Sequence, residues 1–530
     1  MKDPKNSKYW KRRYEILQES LLNPADKYCE DLKNMYIDTI RDIEKEISIW
    51  YQRFADNNGI VSMAEARKKL DKKELEELQW DIMQYIKAGE ENGITKDWSK
   101  ELENASARWH ISRLEALKIQ TQQKIEELYG GREEDVKALL GDIYTEGNYK
   151  NAYEIAQKTG TSFEFAKIDD NRLNKVLNKP WTVDDKTFSE RIWQDRGKLV
   201  NTVHKELTKG ILTGNSSINI AKNISKKMNS DLYSSQRLVL TESAYFATEA
   251  QKDCYKSLDV DKYEVLGTLD GLTCEECGDM DGKVFDRKDM ASGINAPPFH
   301  PNCRCTTIPF FDDELTVKED RVAIDKDGNT VYVDDMSYKE WKDKFIKDEG
   351  QAEWNLYEKS AKNMTADREQ YERYKSVLGK NAPKNLEEFQ KMKYTDSEVW
   401  EFVKLDYKRR NELIKHPELK LPNADVATVD DRKFTGYLFN IENKKGYAKG
   451  KAFESRLGYS IENYESLKSE ILKCASAYPV TYKGSDNYGN SYEQKIILYG
   501  KNGVPANVVV GWKEKDGKTW MTSAYIKEVR

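Results

Sequence analysis

The chain has 530 residues, a net charge of −5, 38% hydrophobic residues and 34% charged ones. Apolar content below the usual roughly 45–50%, with charge above the usual roughly 25%, argues against one large core and for several domains rich in long, solvated helices. No run approaches the ~20 apolar residues that span a bilayer, and the basic start "MKDPKNSKYWKRRYE" leads into no signal-peptide core; an intracellular, soluble chain without an export signal is expected.

Residues 1 to about 130 read as helix. "NMYIDTIRDIEKEISIWYQRFA" spaces Met35, Ile37, Ile40, Ile43, Ile47 and Tyr51 mostly three or four apart, a helical stripe. "SMAEARKKLDKKELEELQWDIMQYI" opens with Ser62 and Glu65 at capping-box spacing. "SARWHISRLEALKIQTQQKIEELYGG" keeps the period and stops at Gly130-Gly131. The aromatic faces are read as packing and the charged faces as solvated surface. Residues 131 to about 250 are again mainly helical, with an Arg237–Glu242 pairing expected in "SSQRLVLTESAYFATEAQKDCY". From 251 to 312 the texture changes to short strands and turns, "YEVLGTLDGLTCEECGDMDGKVF", followed by the proline-rich "APPFHPNCRCTTIPFF", which cannot be helix. A helical connector is expected over 313–415, and a C-terminal unit over 416–530. There the helix "AKGKAFESRLGY" ends at Gly458, a second helix covers about 463–477, and three strand-like runs separated by "KNG" and "KDG" imply an antiparallel meander. The expected architecture is therefore multi-domain: a mainly α-helical N-terminal body, a small zinc-stapled α+β module, and a C-terminal α+β domain with an antiparallel sheet.

The seven cysteines are Cys29, Cys254, Cys274, Cys277, Cys303, Cys305 and Cys474, and four of them fall within 32 positions. A secreted disulfide scaffold would spread an even number over a short chain, so reduced thiols with one local cluster are expected. Cys274-x2-Cys277 brings two sulfurs to one turn, and His300-x2-Cys303-x-Cys305 supplies up to three more ligands after 22 intervening residues. Tetrahedral zinc takes four S or N ligands, commonly Cys3His in structural sites. Cys274, Cys277, His300 and either Cys303 or Cys305 would close such a site and leave no open position, which predicts a structural metal. Pro297, Pro298 and Pro301 stiffen the second arm. A redox or disulfide use is the alternative, and a catalytic thiol ranks last, because His300 stands beside two thiols rather than one.

The run "CEECGDMDGKVF…PPFHPNCRCTTIP" resembles the signature of the tailed-phage head-morphogenesis family, the minor capsid or minor head proteins encoded beside the portal protein. "YWKRRYEILQE", "SIWYQRFADNNGIVSMAEARKKL", "LENASARWHISRLEALK", "RLVLTESAYFATEAQ", "DDMSYKEWKDKF" and "KSVLGKNAPKNLEEFQKMKY" extend the likeness over roughly residues 5 to 410. The resemblance implies a low-copy virion protein of the phage head interior or portal vertex. Its implied partners are the portal protein, capsid or scaffold components, and DNA during packaging or ejection. The family pattern falls on Cys274, Cys277, His300, Cys303 and Cys305.

The C-terminal unit lies outside that likeness and resembles an uncharacterised small domain of phage and toxin-like proteins. Its helices-then-meander order is also similar to compact toxin ribonucleases of the barnase and colicin type. Residues 421–530 carry 17 Lys+Arg against 13 Asp+Glu, a net of +4, which leaves −9 for the remainder. A mildly basic domain permits nucleic-acid binding. A metal-free ribonuclease would have to draw its base, acid and cations from Lys433, Lys449, Lys451, Tyr488, Tyr499, Thr522 and Tyr525, with Lys451, Tyr499 and Thr522 foremost. A binding or accessory role is the competing expectation for this domain.

Overall fold

The computed structural model of the protein describes residues 10–55, 61–91, 96–108, 110–159, 168–311, 321–395 and 397–528; the basic start at 1–9, Trp109 in the third helical run and the expected boundary at 312–313 lie outside them. The chain divides into two compact units, Met1–Lys344 and Phe345–Arg530.

The first unit is a helical body. Helices α1 (Trp10–Arg53), α2 (Met63–Ala66), α3 (Lys72–Glu91), α4 (Lys96–Ser106), α5 (Arg113–Tyr129), α6 (Arg132–Thr159), α7 (Asp170–Leu177), α8 (Phe188–Leu212) and α9 (Ser217–Ser257) surround one apolar core. The 44-residue α1 and the 41-residue α9 pack along each other, and α5, α6 and α8 close around them. The stripe on α1 is shifted from the expected one. Ile43, Ile47 and Tyr51 are buried, but Met35 and Ile37 are 43% exposed, and Tyr36 turns inward instead. Its hydroxyl donates to Asp231, which also accepts from Tyr129, while Arg132 packs over both rings. The polar tip of a tyrosine thus outweighed Met–Ile periodicity, because a half-buried carboxylate needs donors.

Ser62 does cap a helix, accepting from the Glu65 N–H, but α2 ends after one turn. The chain restarts at Asp71, whose carboxylate and the Glu74 carboxylate each accept the other's backbone N–H, at 2.9 and 3.0 Å. Ser112 and Glu115 form a further capping box that begins α5, which Gly130 ends. The expected Arg237–Glu242 pair does not form. Glu242 is buried and accepts instead from the Trp181 indole N–H at 2.9 Å, while Arg237 is exposed.

After α9 the chain builds a three-stranded antiparallel sheet in the order β2-β1-β3, from β1 (Lys262–Leu266), β2 (Val284–Asp286) and β3 (Thr306–Phe310), with the short helix α10 (Glu275–Met280) in the connection from β1 to β2. The stretch "CEECGDM" is therefore helical, not a bare turn, because Cys274 serves as its N-cap. A hairpin of β4 (Arg321–Ile324) and β5 (Thr330–Val333) precedes α11 (Tyr338–Glu349), within which the two units divide. That hairpin stands where a helical connector is expected.

In the second unit, α12 (Gln351–Lys362) packs on α14 (Leu386–Thr395), and α14 shares with α13 (Met364–Leu378) and α15 (Ser397–Lys415) an aromatic cluster in which Tyr374 stacks on Tyr407 at 4.1 Å. Then α16 (Lys444–Leu457) and α17 (Tyr464–Ala475) cover one face of a four-stranded antiparallel meander. The meander runs β6 (Val480–Asp486), β7 (Gly489–Tyr499), β8 (Pro505–Lys515) and β9 (Lys518–Ile526). The three expected strands are present, and β6 is added; its mostly exposed "VTYKGSD" carries no apolar alternation that would mark it. Gly446 and Gly450 let α16 lie directly on the preceding turn, since a Cβ at either would meet the Tyr437 or Leu438 carbonyl oxygen at 2.1 or 1.8 Å.

Helix α15 belongs to this C-terminal fold and not only to a connector. The fully buried Asp406 accepts from Arg410 at 2.7 Å, from the Tyr478 hydroxyl at 2.6 Å and from the Tyr499 hydroxyl at 3.1 Å.

Burial pushes the Glu242 carboxyl up to about 7, against the bond from Trp181 and the charge of Arg191, which lower it. The folded state therefore holds this proton more tightly than the unfolded chain does. Stability from this group is full below about pH 4.5 and is lost as pH rises to about 7. Glu242→Gln, which keeps an acceptor for Trp181, is expected to melt like the parent at pH 4.5 and to be more stable at pH 8, by up to ~3 kcal/mol. Thermal melts at both values check this.

Candidate metal centre

Sheet register brings the two ligand arms together. Leu266 at the end of β1 pairs with Thr306 at the start of β3, so the residues that follow β1 and those that precede β3 leave the sheet side by side. The first arm carries Cys274 and Cys277, and the second carries His300, Cys303 and Cys305. Strand β3 is fixed from behind by Gln251 of α9, which donates to the Thr306 hydroxyl at 2.8 Å and accepts from the Thr307 hydroxyl at 2.7 Å.

The ligand atoms form two overlapping triads, Cys274–Cys277–His300 and Cys277–Cys303–Cys305, each with its atoms within 4.8 Å of one another. His300 Nε2 lies 3.2 Å from Cys274 Sγ and 3.0 Å from Cys277 Sγ, and Cys277 Sγ lies 3.7 Å from Cys303 Sγ. His300 Nδ1 is 2.8 Å from the Pro301 carbonyl oxygen. That carbonyl can only accept, so Nδ1 carries the proton and the Nε2 lone pair faces the sulfurs, as a metal ligand requires. The Cys274 sulfur also accepts the Cys277 N–H at 3.4 Å, which turns α10 onto the site. Hydrogen bonds from the Cys277 and Cys305 thiols hold Cys303 well below the usual thiol range, and the same bonds raise Cys277 and Cys305. Cys277, Cys303 and Cys305 are buried, while Cys274 and His300 form the half-buried rim. All seven cysteines are free thiols, so the disulfide alternative is not taken up in this structure. Sulfurs and one imidazole nitrogen, in two triads that share Cys277 and not in one four-atom cluster, could hold a metal ion.

Sequence reasoning missed the groups that hold these ligands in place. Asp270 accepts both guanidinium nitrogens of Arg304, at 2.6 and 2.8 Å, and the backbone N–H groups of Leu272 and Thr273, each at 3.0 Å. One side chain thus ties the turn before Cys274 to the residue between Cys303 and Cys305. A charge inside "CRC" is the signal that could have found it. Asp281, just past α10, accepts from the Gly267 N–H and the Tyr338 N–H, both at 2.6 Å, and from Arg321 at 2.7 Å. Gly278 lies flat on the Tyr338 ring, where a Cβ would meet ring carbon at 2.4 Å. Arg321, beyond the expected end of the module, is therefore part of it.

Residues 201–308, which contain all five ligand candidates, match the family described as phage Mu protein F like protein. The minor head protein GP7 of Bacillus phage SPP1 is 23% identical over 219 residues, 38% of this chain and 69% of that protein. The chain is thus similar to phage minor head proteins over part of its length. The NAD(+)–arginine ADP-ribosyltransferase EFV of Enterococcus faecalis is 24% identical over 246 residues, 44% of this chain and 49% of that protein, so the chain spans about half of EFV. Residues 420–528 match a domain of unknown function (DUF6883). No solved structure matches.

The C-terminal candidates do not converge on one point. Tyr499 gives its hydroxyl to Asp406, and burial raises it further above the ordinary phenol range. Lys451 is exposed, with its ammonium 5.3 Å from the centre of its neighbour Tyr447's ring. Thr522 lies at a register shift opposite Gly511, six residues from the Pro505 that pairs with Tyr499, roughly 20 Å along the strand. Lys449 and Tyr525 do meet: the ammonium is 5.4 Å from that ring and 3.4 Å from the Tyr437 hydroxyl. Lys433 is half-buried at the start of the Phe434–Leu438 turn, and Tyr488 is 74% exposed.

Metal analysis of the purified protein should find about one ion per chain. Cys277 belongs to both triads, so Cys277→Ser should abolish binding. Cys303→Ser and Cys305→Ser should differ, and the one that loses metal is the fourth ligand.

Proposed function

We propose that this chain is a portal-associated minor head protein of a tailed phage or prophage, present in the head interior or at the portal vertex, which takes part in head morphogenesis and in DNA packaging or delivery. Zinc is the proposed occupant of the cysteine centre, through Cys274, Cys277, His300 and one of Cys303 or Cys305. Its role is structural: four protein ligands leave no position for a substrate. The observation that carries the reading is the coincidence of the five-ligand centre with the segment that matches the phage family, beside the likeness to GP7. Capsid or scaffold components and, during packaging or ejection, DNA are the further proposed partners, with host cytoplasm as the site of assembly. Affinity capture with the portal protein of the same phage or prophage is expected to retain the chain, and purified heads are expected to contain it. Absence from both would overturn the assignment.

A second reading adds a C-terminal RNase-like effector to the same body. It is favoured by the meeting of Lys449, Tyr437 and Tyr525, a cation beside two phenols. Expression of residues 345–530, the second compact unit, should then arrest growth with RNA cleavage that Lys449→Ala removes. A harmless, RNA-inert fragment would leave only the accessory role.

A further inference from the structure

The two faces of the C-terminal meander are used differently. Helices α16 and α17 seal one face with an apolar core. On the other face α15 covers only the rows near Tyr499 and Asn507, where Arg409 donates to the Asn507 side chain at 2.8 Å. In the next row Val509 is still buried; around and beyond it Lys495 is exposed, and Glu493, Gly511, Lys513, Trp520, Thr522, Ser523 and Tyr525 are all half-buried.

Two irregularities coincide on that open half. Gly511 sits inside β8, where a glycine costs conformational entropy and marks close approach of another group. Directly opposite, β9 bulges: Gly511 pairs with Ser523 and Trp512 with Met521, which leaves Thr522 as the extra residue. Bulges are frequent where a strand re-aims a side chain toward a ligand. Here the bulge turns both hydroxyls onto the glycine, Thr522 Oγ1 and Ser523 Oγ lying 2.7 and 2.9 Å from where a Cβ would stand. Neither hydroxyl has a hydrogen-bond partner among the described residues.

The neighbours of this point are cations, aromatic rings and one carboxylate. Glu493 of β7 pairs with Gly511 and is offset by Lys483 at 3.5 Å. The adjacent row on one side is Lys495–Val509–Tyr525, with Lys449 over the Tyr525 ring. The row on the other side is Ser491–Lys513–Trp520, with Lys513 5.2 Å from the Tyr488 ring centre and ion-paired with Asp486. A cationic track interleaved with aromatic faces is the arrangement that holds a single strand by its phosphates and stacks its bases. We propose that the open half of this sheet face binds single-stranded nucleic acid through its phosphodiester backbone, one phosphate seated at the Thr522–Ser523 bulge over Gly511. The proposal does not require strand cleavage, so a protein that binds but leaves RNA intact fails the effector reading and not this one.

The test uses the full chain and fluorescence anisotropy with labelled oligo(U) and oligo(dT) of about 12 nucleotides, within the usual site size. Binding should weaken with salt, and Lys495→Glu should weaken it about tenfold and reduce the salt slope by about one. Thr522→Val, which retains the β-branched shape, should weaken binding severalfold. Lys473→Glu, an equal charge change on α17 against the sealed face, should leave it unchanged. Preference for oligo(U) would assign a site that also reads the 2′-hydroxyl; equal affinity would assign the backbone shared by both strands. No salt-sensitive binding of either strand, or equal losses from Lys495→Glu and Lys473→Glu, would overturn the proposal.

Discussion

Arg321 and Asp281 are opposite charges withdrawn from water, 1% and 0% exposed at their side chains, and the cysteine module depends on how they are satisfied. A buried charge persists only where hydrogen bonds replace its lost water. Arg321 donates to Asp281, to the Met336 carbonyl and to the Gly267 carbonyl, while Asp281 also accepts from the Gly267 and Tyr338 backbones. One pair therefore binds the end of β1, the end of α10, the start of β4 and the start of α11. Loss of either partner would strand a charge at about 3–5 kcal/mol, enough to release the turn that presents Cys274 and Cys277.

The candidate metal centre is built inside that frame by a division of labour. Register in the β2-β1-β3 sheet sets which segments meet, Asp270 and Arg304 lock the two arms together, and the Pro301 carbonyl orients His300. Each of these acts before any metal arrives, so the ligands lose little freedom on binding. Such an arrangement suits a staple.

The C-terminal unit shows the opposite economy. Its apolar side is sealed by α16 and α17, and its other side is closed only as far as the Asp406 network reaches. Asp406 lies in α15, before the segment that matches the domain of unknown function, so the folded neighbourhood of that domain starts earlier than the matched residues. Tyr499 is held by that network as a structural hydroxyl. The bulge at Thr522 stands well above it on the uncovered part of the sheet.

The sequence by itself determined the helical body, the end of α5 at Gly130, α16 with its Gly458 cap, three of the four meander strands and all five ligand candidates. These follow from local chemistry: side-chain periodicity, glycine at helix ends, and sulfur and imidazole at metal spacing. It also determined the likeness to phage minor head proteins, because the ligand spacing and the family pattern are the same residues. It could not place Tyr36 inside and Met35 outside, pair Glu242 with Trp181, or give α10 its Cys274 cap, since each depends on a partner distant in the chain or on a thiol in an unusual role. Strand β6 was invisible because its residues are mostly solvent-facing and acquire strand geometry only from the ladder with β7. Only the tertiary structure decided that Arg304 and Arg321 are parts of the cysteine centre. Only it decided that Thr522 and Ser523 meet over Gly511, because cross-strand register and buried charge pairing are relations between segments that no local window contains.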